Sequence, residues 1–522
     1  MRNDLTGTRP SFLREGPVES PRHEYIGWGV IHGMYRGGLG SELDDVAKDF
    51  VKARDLDLGI FTYDVMGTKA HVMMLYNSNI ISRKDAAGML TVLEEVEERI
   101  LEGSITQDGE DCHEFIEKYI TQRLGDEVGG KIQTGRSRND QVATAIKLRL
   151  RHDTTIIQMR ILYLIKRLID IADENKETIV PLYTHLQHAQ VGVLSHYFMA
   201  FVDALTRDFE RFQDMYKRLN TNPLGSGPAG GTNIPINRSM TTKTLAFSRM
   251  HMNSLDATSN RDYMSEFVSC AAIMMVNLSR MAEDLVLWSS SEFSFIEITD
   301  RLASPSSIMP QKKNPDILEL VRGKAATALG CLTSVLAVQK GLATGYGRDL
   351  QETKDAVWVT ADDAQGALQV MSSTLYGLKI DKRRMVETTK AGHILALDIA
   401  EKLVEEGVPF RKAHMEVGAL VAVVRSQDRE LIDLTDEEIG SATTLDTKTI
   451  RNILNQCTAQ KSAYERRSMG STSAREQYRF IEKGRKDLEH MLSQMEKQKS
   501  QHATALNEMR EKIKEIVPMD KR

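Results

Sequence analysis

Residues 264–288 read MSEFVSCAAIMMVNLSRMAEDLVLW. Met264, Phe267, Ala271, Met274, Leu278, Met281, Leu285 and Trp288 fall at alternating steps of three and four. That spacing keeps them on one side of a helix and suits near-parallel packing against other long helices. The same stepping recurs at Ile157, Ile161, Leu164, Leu168 and Ile171, and at Val191, Leu194, Phe198, Phe201, Leu205, Phe209 and Phe212. It returns at Val357, Ala361, Ala364, Leu368, Met371, Leu375 and Leu378, and a further helix is expected from Pro315 to about Leu336. The methionines and phenylalanines of these stripes read as core. Five such helices make a bundle, and no strand–helix alternation calls for a parallel sheet. The expected class is all-α.

Outside the stripes the pattern is looser. Residues 1–22 carry Pro10, Pro17 and Pro21 among scattered charges and read as a loose arm. Shorter helical pieces follow from Glu42 to about Leu124, for example Asp85–Leu101, and the helices shorten again after about Ile380. From Glu476 a long charged stretch carries Leu488, Met491, Met495, Leu506, Met509, Ile513 and Ile516 as a seam, interrupted by EKQKS at 496–500. It reads as a coiled coil or as a solvated helix packed on its own subunit. The expected regions are an arm (1–22), an N-terminal helical domain (23–133), a central helical bundle (134–385), a C-terminal helical domain (386–475) and a helical extension (476–522).

A chain of 522 residues can bury a large core and should hold more than one domain. Its formal charge of −5 gives no global basic field, so composition offers nucleic acid no support as a partner. Cys112, Cys270, Cys331 and Cys457 lie far apart with no CxxC or His-interleaved spacing. That argues against a disulfide framework or a zinc site and for a reducing compartment. The N-terminal stretch has no apolar core of a secretory signal, and no apolar run reaches the ~18–20 residues that span a bilayer. A cytoplasmic protein without a membrane partner is expected.

Several segments between the helices are polar and rich in Gly, Ser and Asn: TGRSRNDQ (134–141), THLQHAQ (184–190), LGSGPAGGTN (224–233) and SPSSIMPQKKN (304–314). Function concentrates in loops held by a rigid scaffold. In the last of them two hydroxyls, Ser306 and Ser307, are followed by Lys312, Lys313 and Asn314, then by Pro315. Proline suits a first helical turn, and a helix N-terminus favours negative charge. The assembly suits an anion that appears during a reaction.

SSIMPQKKNP (306–315) also resembles the signature loop of the fumarase/argininosuccinate lyase superfamily, usually GSSxMPxKxNP. TGRSRNDQ is similar to the segment that sets argininosuccinate lyases apart from fumarases and adenylosuccinate lyases. YTHLQHAQ (183–190) resembles the histidine loop, and LGSGPAGGTN the LGSGA-type turn. SLDATSNRDY (254–263) and GYGRDLQETK (345–354) are similar to further argininosuccinate lyase segments. Over roughly residues 35–475 the chain thus resembles that family. The resemblance implies three mostly helical domains, with the middle bundles of four subunits joined in a common core and each active site drawn from three subunits. It implies a carbon–nitrogen lyase that cleaves argininosuccinate to arginine and fumarate in arginine biosynthesis, with no metal or organic cofactor. Such an elimination removes a proton next to a carboxylate and breaks the C–N bond on the neighbouring carbon. It needs a base, an acid and preorganised donors around the charge that develops.

Carried over by motif, Ser306 takes the proton, its anion stabilised by the loop amides, Lys312 and the helix N-terminus. Lys312 and Asn314 bind the reacting carboxylate, His185 handles the leaving nitrogen, and Glu319 orients His185. Which of Ser306 and His185 is acid and which is base stays open. Ser137, Arg138, Asn139, Thr184, Tyr346, Gln351 and Lys354 are implied substrate contacts, Arg138 being suited to a bidentate grip on a carboxylate. Asp57 is the implied partner of the substrate guanidinium. His113, in EDCHEFIE (110–117), matches a second histidine near the site, and a structural histidine explains the segment equally well. Lys313 reads as a solvated or supporting charge, and Arg136 equally as a structural ion pair.

Two departures stand out. Pro305 replaces the glycine that usually precedes the serine pair and fixes φ near about −65°, stiffening a hinge. Ala53 stands where the family often has a serine. They leave two other readings: a relative that cleaves another N-substituted aspartate, and a non-catalytic structural homologue. Retention of His185, Ser306, Lys312, Asn314 and Glu319 argues against the second.

Overall fold

The structure, a computed structural model, describes residues 44–517 except 52–53, 106–109, 426 and 428. The expected arm (1–22) and Ala53 lie outside the described residues. The chain divides into two compact units, residues 1–52 and 53–522. The helix described in the first is α1 (Asp45–Val51); all that follows concerns the second.

A 3-10 turn (Arg54–Ile60) leads into α2 (Phe61–Asn77), α3 (Arg83–Leu101), α4 (Cys112–Leu124) and α5 (Asp126–Gly129). Next come α6 (Arg138–Glu174), α7 (Leu194–Leu219), the short α8 (Arg238–Thr244) and α9 (Ser254–Ser259), then α10 (Asp262–Ser289), α11 (Asp316–Gln339) and α12 (Thr353–Tyr376). Shorter helices follow, among them α13 (Lys382–Thr388), α14 (Ala396–Glu405) and α15 (Phe410–Arg425). A helix of 43 residues, Ala474–Ile516, closes the chain; we call it the C-terminal helix. The five expected long helices are α6, α7, α10, α11 and α12. Every member of the Met264–Trp288 stripe is buried, in one core shared by all five and by α2–α4. A second core, with Ile399, Leu403, Leu420, Ile439 and Ile450 at its centre, serves the later short helices.

The stripe beginning at Val191 hides a change of structure. Val191 lies in a strand: β1 (Ile179–Thr184) and β2 (Gln187–Val193) form an antiparallel hairpin, and α7 starts only at Leu194. Val191 stands three residues before Leu194 and so keeps step with the helix. With Val193, however, it points at the two-residue period of a strand into a small core with Ile394 and Ala463, whereas Leu194 and Phe198 enter the main core. The stepping alone therefore cannot reveal the joint.

The C-terminal helix resolves the choice left by its seam. It runs unbroken through residues 496–500, and Leu488, Met491, Met495, Met509, Ile513 and Ile516 are buried in the core of its own chain. Gln498 donates to Thr155 Oγ1 of α6, and Arg83 of α3 reaches the carbonyl of Glu515.

By length and composition α11 is the one helix among the described residues able to cross a membrane, with a mean hydropathy of 1.2 over its most apolar window. It packs through Leu318, Val321, Ala325, Ala328 and Val335, while Leu320, Leu329 and Leu336 are about half exposed or more. Arg322 and Lys324 on this helix pair with Glu283 and Asp363.

Candidate active site

One group of polar side chains gathers where α6 and α12 begin. Ser137 caps α6 by accepting from Asn139 N–H, and Asp140 returns a bond to Ser137 N–H at 3.0 Å. The other oxygen of Asp140 accepts the amides of Gly225 and Gly227, both at 2.8 Å, and so pins the 224–233 loop to the helix start. Gly227 has φ +63° there, and a Cβ would meet the carbonyl oxygen of Gly231 at 2.6 Å, which only glycine tolerates. Burial raises the Asp140 carboxyl to about 6 against the pull of these amides and of Arg136. Asn139 donates to the carbonyl of Pro228, and Arg138 reaches Asp111 at 3.3 Å. Arg136 is buried and bonds Thr68 and Gln133, a structural role.

Asp57 and Lys354, both buried, form an ion pair with each other, and Cys112 N–H donates to the same carboxylate at 3.4 Å. Expected as two separate substrate contacts, they are partners here. Tyr346 and Gln351 flank Arg348, whose ion pair with Glu110 ties this segment to the start of α4. His113 is buried with Nδ1 2.8 Å from Asp64 Oδ2, while its Nε2 has no partner among the described residues. Burial alone would lower the imidazole pKa, but Asp64, then Asp111 and Asp57, raise it above the ordinary histidine value. The bound proton thus stabilises the fold below the ordinary histidine pKa, and that contribution disappears as pH rises through the raised value. In an NMR titration His113 is expected to titrate above an ordinary histidine, and below one in Asp64→Asn. An unmoved titration there would refute the coupling.

The second group lies beyond the far end of α6. Thr184 pairs with Gln187, leaving His185 and Leu186 as a two-residue turn with φ +56° and +57°. Both central residues of this hairpin turn are thus left-handed, a conformation that ordinarily calls for Asn or Gly. It holds the His185 ring out in solvent. Tyr183 anchors the turn against Phe293, and His188 Nδ1 lies 3.2 Å from the carbonyl of Ala391. A cavity of about 680 Å³ opens beside it, lined by Leu186, Gln187, Arg384 and His393 among others.

The 304–314 segment is a small hairpin too, Ser304 pairing with Asn314 and Pro305 with Lys313. Pro305 is thus strand, a conformation its ring accepts at a sheet edge. Ser306 Oγ accepts the amides of Met309 at 3.1 Å and Ile308 at 3.4 Å. Lys313 pairs with Glu297 and Asp300, which fixes the hairpin base and leaves Lys312 exposed at the turn. Asn314 follows Lys313 in the same strand, and Glu319 is exposed on the first turns of α11. Among the described residues no bond joins Glu319 to His185.

A family model described as "Lyase" matches residues 41–330, and one described as "Argininosuccinate lyase C-terminal" matches 393–459. The argininosuccinate lyase of Nitrosopumilus maritimus is 43% identical over 93% of this chain and all of its own length. The chain belongs to the argininosuccinate lyase family. The argininosuccinate lyase of Methanothrix thermoacetophila is also 43% identical, over 76% of this chain and 81% of its own length. An EDDS lyase crystallised with formate superposes with a TM-score of 0.81 at 25% identity, covering 88% of this chain and 93% of that one. The class II fumarase of Schistosoma mansoni shares the fold, with a TM-score of 0.69 at 14% identity over 81% and 94% of the two chains.

Set on this argininosuccinate lyase fold, the motif residues separate into two groups. Ser137, Arg138, Asn139, Tyr346, Gln351, Lys354, Asp57 and His113 share one end of the bundle. Thr184, His185, Ser306, Lys312, Asn314 and Glu319 share the other. Between them runs α6, whose 37 residues span about 55 Å. Asp140 and Asp64 went unread in the sequence. Asp140 stood within TGRSRNDQ and its spacing from Ser137 is that of a capping box, whereas Asp64, on α2, carries no local signal. Asp64, Cys112 and His113 lie close enough together to ligate one ion. However, burial and the neighbouring carboxylates raise the Cys112 thiol well above its usual value, and His113 Nδ1 already faces Asp64. Metal binding needs a thiolate, so the trio reads as a hydrogen-bonded support for His113.

Proposed function

We propose that this chain is an argininosuccinate lyase that works as a homotetramer, eliminating fumarate from argininosuccinate to leave arginine. The observation that carries the reading is the placement of two complementary half-sites at opposite ends of one bundle. One end offers cationic and amide grips in Arg138, Asn139 and Lys354; the other offers proton-transfer groups in His185 and Ser306 with Lys312. Neither end is sufficient alone, and neighbouring subunits running in opposite directions would bring one of each together. The exposed apolar flank of α11 supports that assembly, because a surface of this kind on a bundle helix asks for a partner. Leu329→Asp is expected to shift the protein to smaller species in light scattering and to abolish turnover with them. A tetramer that tolerates the aspartate would take α11 out of the interface.

In the proposed cycle Ser306 removes the proton next to the carboxylate, since its oxygen already sits on two amides that would stabilise an alkoxide. Lys312 and Asn314 hold the carboxylate as the electron pair moves into it. The C–N bond then breaks, and His185 returns a proton to the leaving guanidinium nitrogen, directly or through water. Glu319, from another subunit, would orient that imidazole. Asp57, on this reading, shares its charge between Lys354 and the substrate guanidinium. The bounds 23–133, 134–385, 386–475 and 476–522 are the proposed regions, the third supported by its separate core. All four cysteines are free, which supports a cytoplasmic setting.

The test is turnover with argininosuccinate beside adenylosuccinate and malate, following fumarate by ultraviolet absorbance and arginine as co-product. Fumarate from argininosuccinate alone is the expected result. An intact tetramer that turned over a different adduct, or none, would replace the assignment.

A further inference from the structure

Between α6 and the C-terminal helix lies a cavity of about 530 Å³ whose lining includes none of the motif residues described above. Its walls come from α2 (Tyr63, Met66), from α6, from the turn after α8 and from Lys499 and Leu506 of the C-terminal helix. This volume is typical of small-molecule sites. Its charged lining is one-sided: Arg151, Arg160 and Lys499, with His152 and His502, and no aspartate or glutamate among the described residues.

Arg151 is the informative member. It is only 5% exposed, and its Nη1 donates to the carbonyl of Leu245 at 2.9 Å while its guanidinium lies over the Phe247 ring at 4.6 Å. Nη2 lies 2.9 Å from His502 Nε2, which also lies 2.8 Å from the Tyr216 hydroxyl. Burial and the charge of Arg151 hold His502 down to about 4, so the ring is neutral and serves as an acceptor. Arg151 Nε has no partner, and among the described residues no carboxylate pairs with this guanidinium. Asp153, two residues along α6, is taken by Arg149 at 2.9 Å. A buried cation without a counter-ion is costly, and an arriving anion recovers that cost.

We propose that this cavity binds an amphipathic anion, its carboxylate or phosphate monoester head on Arg151 and its apolar tail against Met66, Met159 and Leu506. Because one wall belongs to the C-terminal helix, the occupant ties that helix to the bundle. The proposal is independent of the lyase reading and is tested by binding, not by turnover. The full chain is titrated calorimetrically with decanoate, decyl phosphate and decyltrimethylammonium. At least one of the two anions is expected to bind one per chain and to slow proteolysis within residues 474–516, the stronger of them identifying the head group, while the cation does neither. Arg151→Gln should weaken binding about tenfold or more, the range of a charged hydrogen bond. Leu506→Trp, which fills the apolar part of the cavity and leaves the Arg151 side chain unaltered, should abolish binding while circular dichroism and fumarate release are unchanged. Should Arg151→Gln fail to fold, Leu506→Trp and the head-group comparison decide. Equal binding of anion and cation, no binding of either anion, or binding that survives Leu506→Trp would overturn the proposal.

Discussion

Ser306→Ala is expected to lower fumarate release by about 10²–10⁴-fold, the usual worth of a positioned proton-transfer group. The cost to folding should be about 1 kcal/mol, the worth of a hydroxyl that accepts turn amides, because the strand pairing of the hairpin does not use the side chain. The expectation rests on the two amides, from Ile308 and Met309, that converge on its oxygen. They make the alkoxide a better-stabilised species than a lone serine would give. Since the hydroxyl matters chiefly in the transition state, kcat should carry the loss and KM should move little. Full activity in the alanine variant would move the proton transfer to another group.

Mixing two inactive proteins provides the second large effect. Ser306→Ala disables the group at one end of the bundle, and Lys354→Met disables the group at the other. Each alone should lack turnover. If every site joins opposite ends of different subunits, random co-assembly leaves about a quarter of the sites with both ends intact. Denaturing the two together and refolding them should therefore restore turnover that neither refolded protein shows by itself. A mixture as inactive as its components would place both ends of a site in one chain, against the ~55 Å that α6 sets between them. Asp57 complicates Lys354→Met: it loses its buried counter-ion, so the variant should also lose about 3–5 kcal/mol of stability. Thermal unfolding of the pure variant measures that loss and shows whether enough folded protein remains for the mixing.

Much of this was written in the chain's periodicity. Four of the five long helices follow from apolar residues at alternating steps of three and four, because such spacing gathers them on one face of a helix. The polar loops between the helices were equally visible, since each interrupts a stripe with hydroxyls, amides and cations that a connector does not need. What escaped was local geometry. The strand that ends at Val193 is hidden because Val191 stands three residues before Leu194, in step with the α7 stripe, although it is buried in a different core. The continuity of the C-terminal helix through 496–500 could not be seen either. A polar patch on a helix is solvated just as well as a break, and only packing on α6 and α3 distinguishes them.

By itself, then, the amino-acid sequence determined the class of fold, the presence of the long central helices and the polar residues of the family motifs, because those depend on spacing and order along the chain. Only the tertiary structure decided which of those residues meet. Asp57 and Lys354 lie far apart in the chain yet neutralise each other, His185 is held in a left-handed turn by a hairpin, and the 304–314 loop sits one helix length from the 134–141 segment. Electrostatic pairing and rigid helix length act through space, and the order of residues in a chain does not record the distances over which they act.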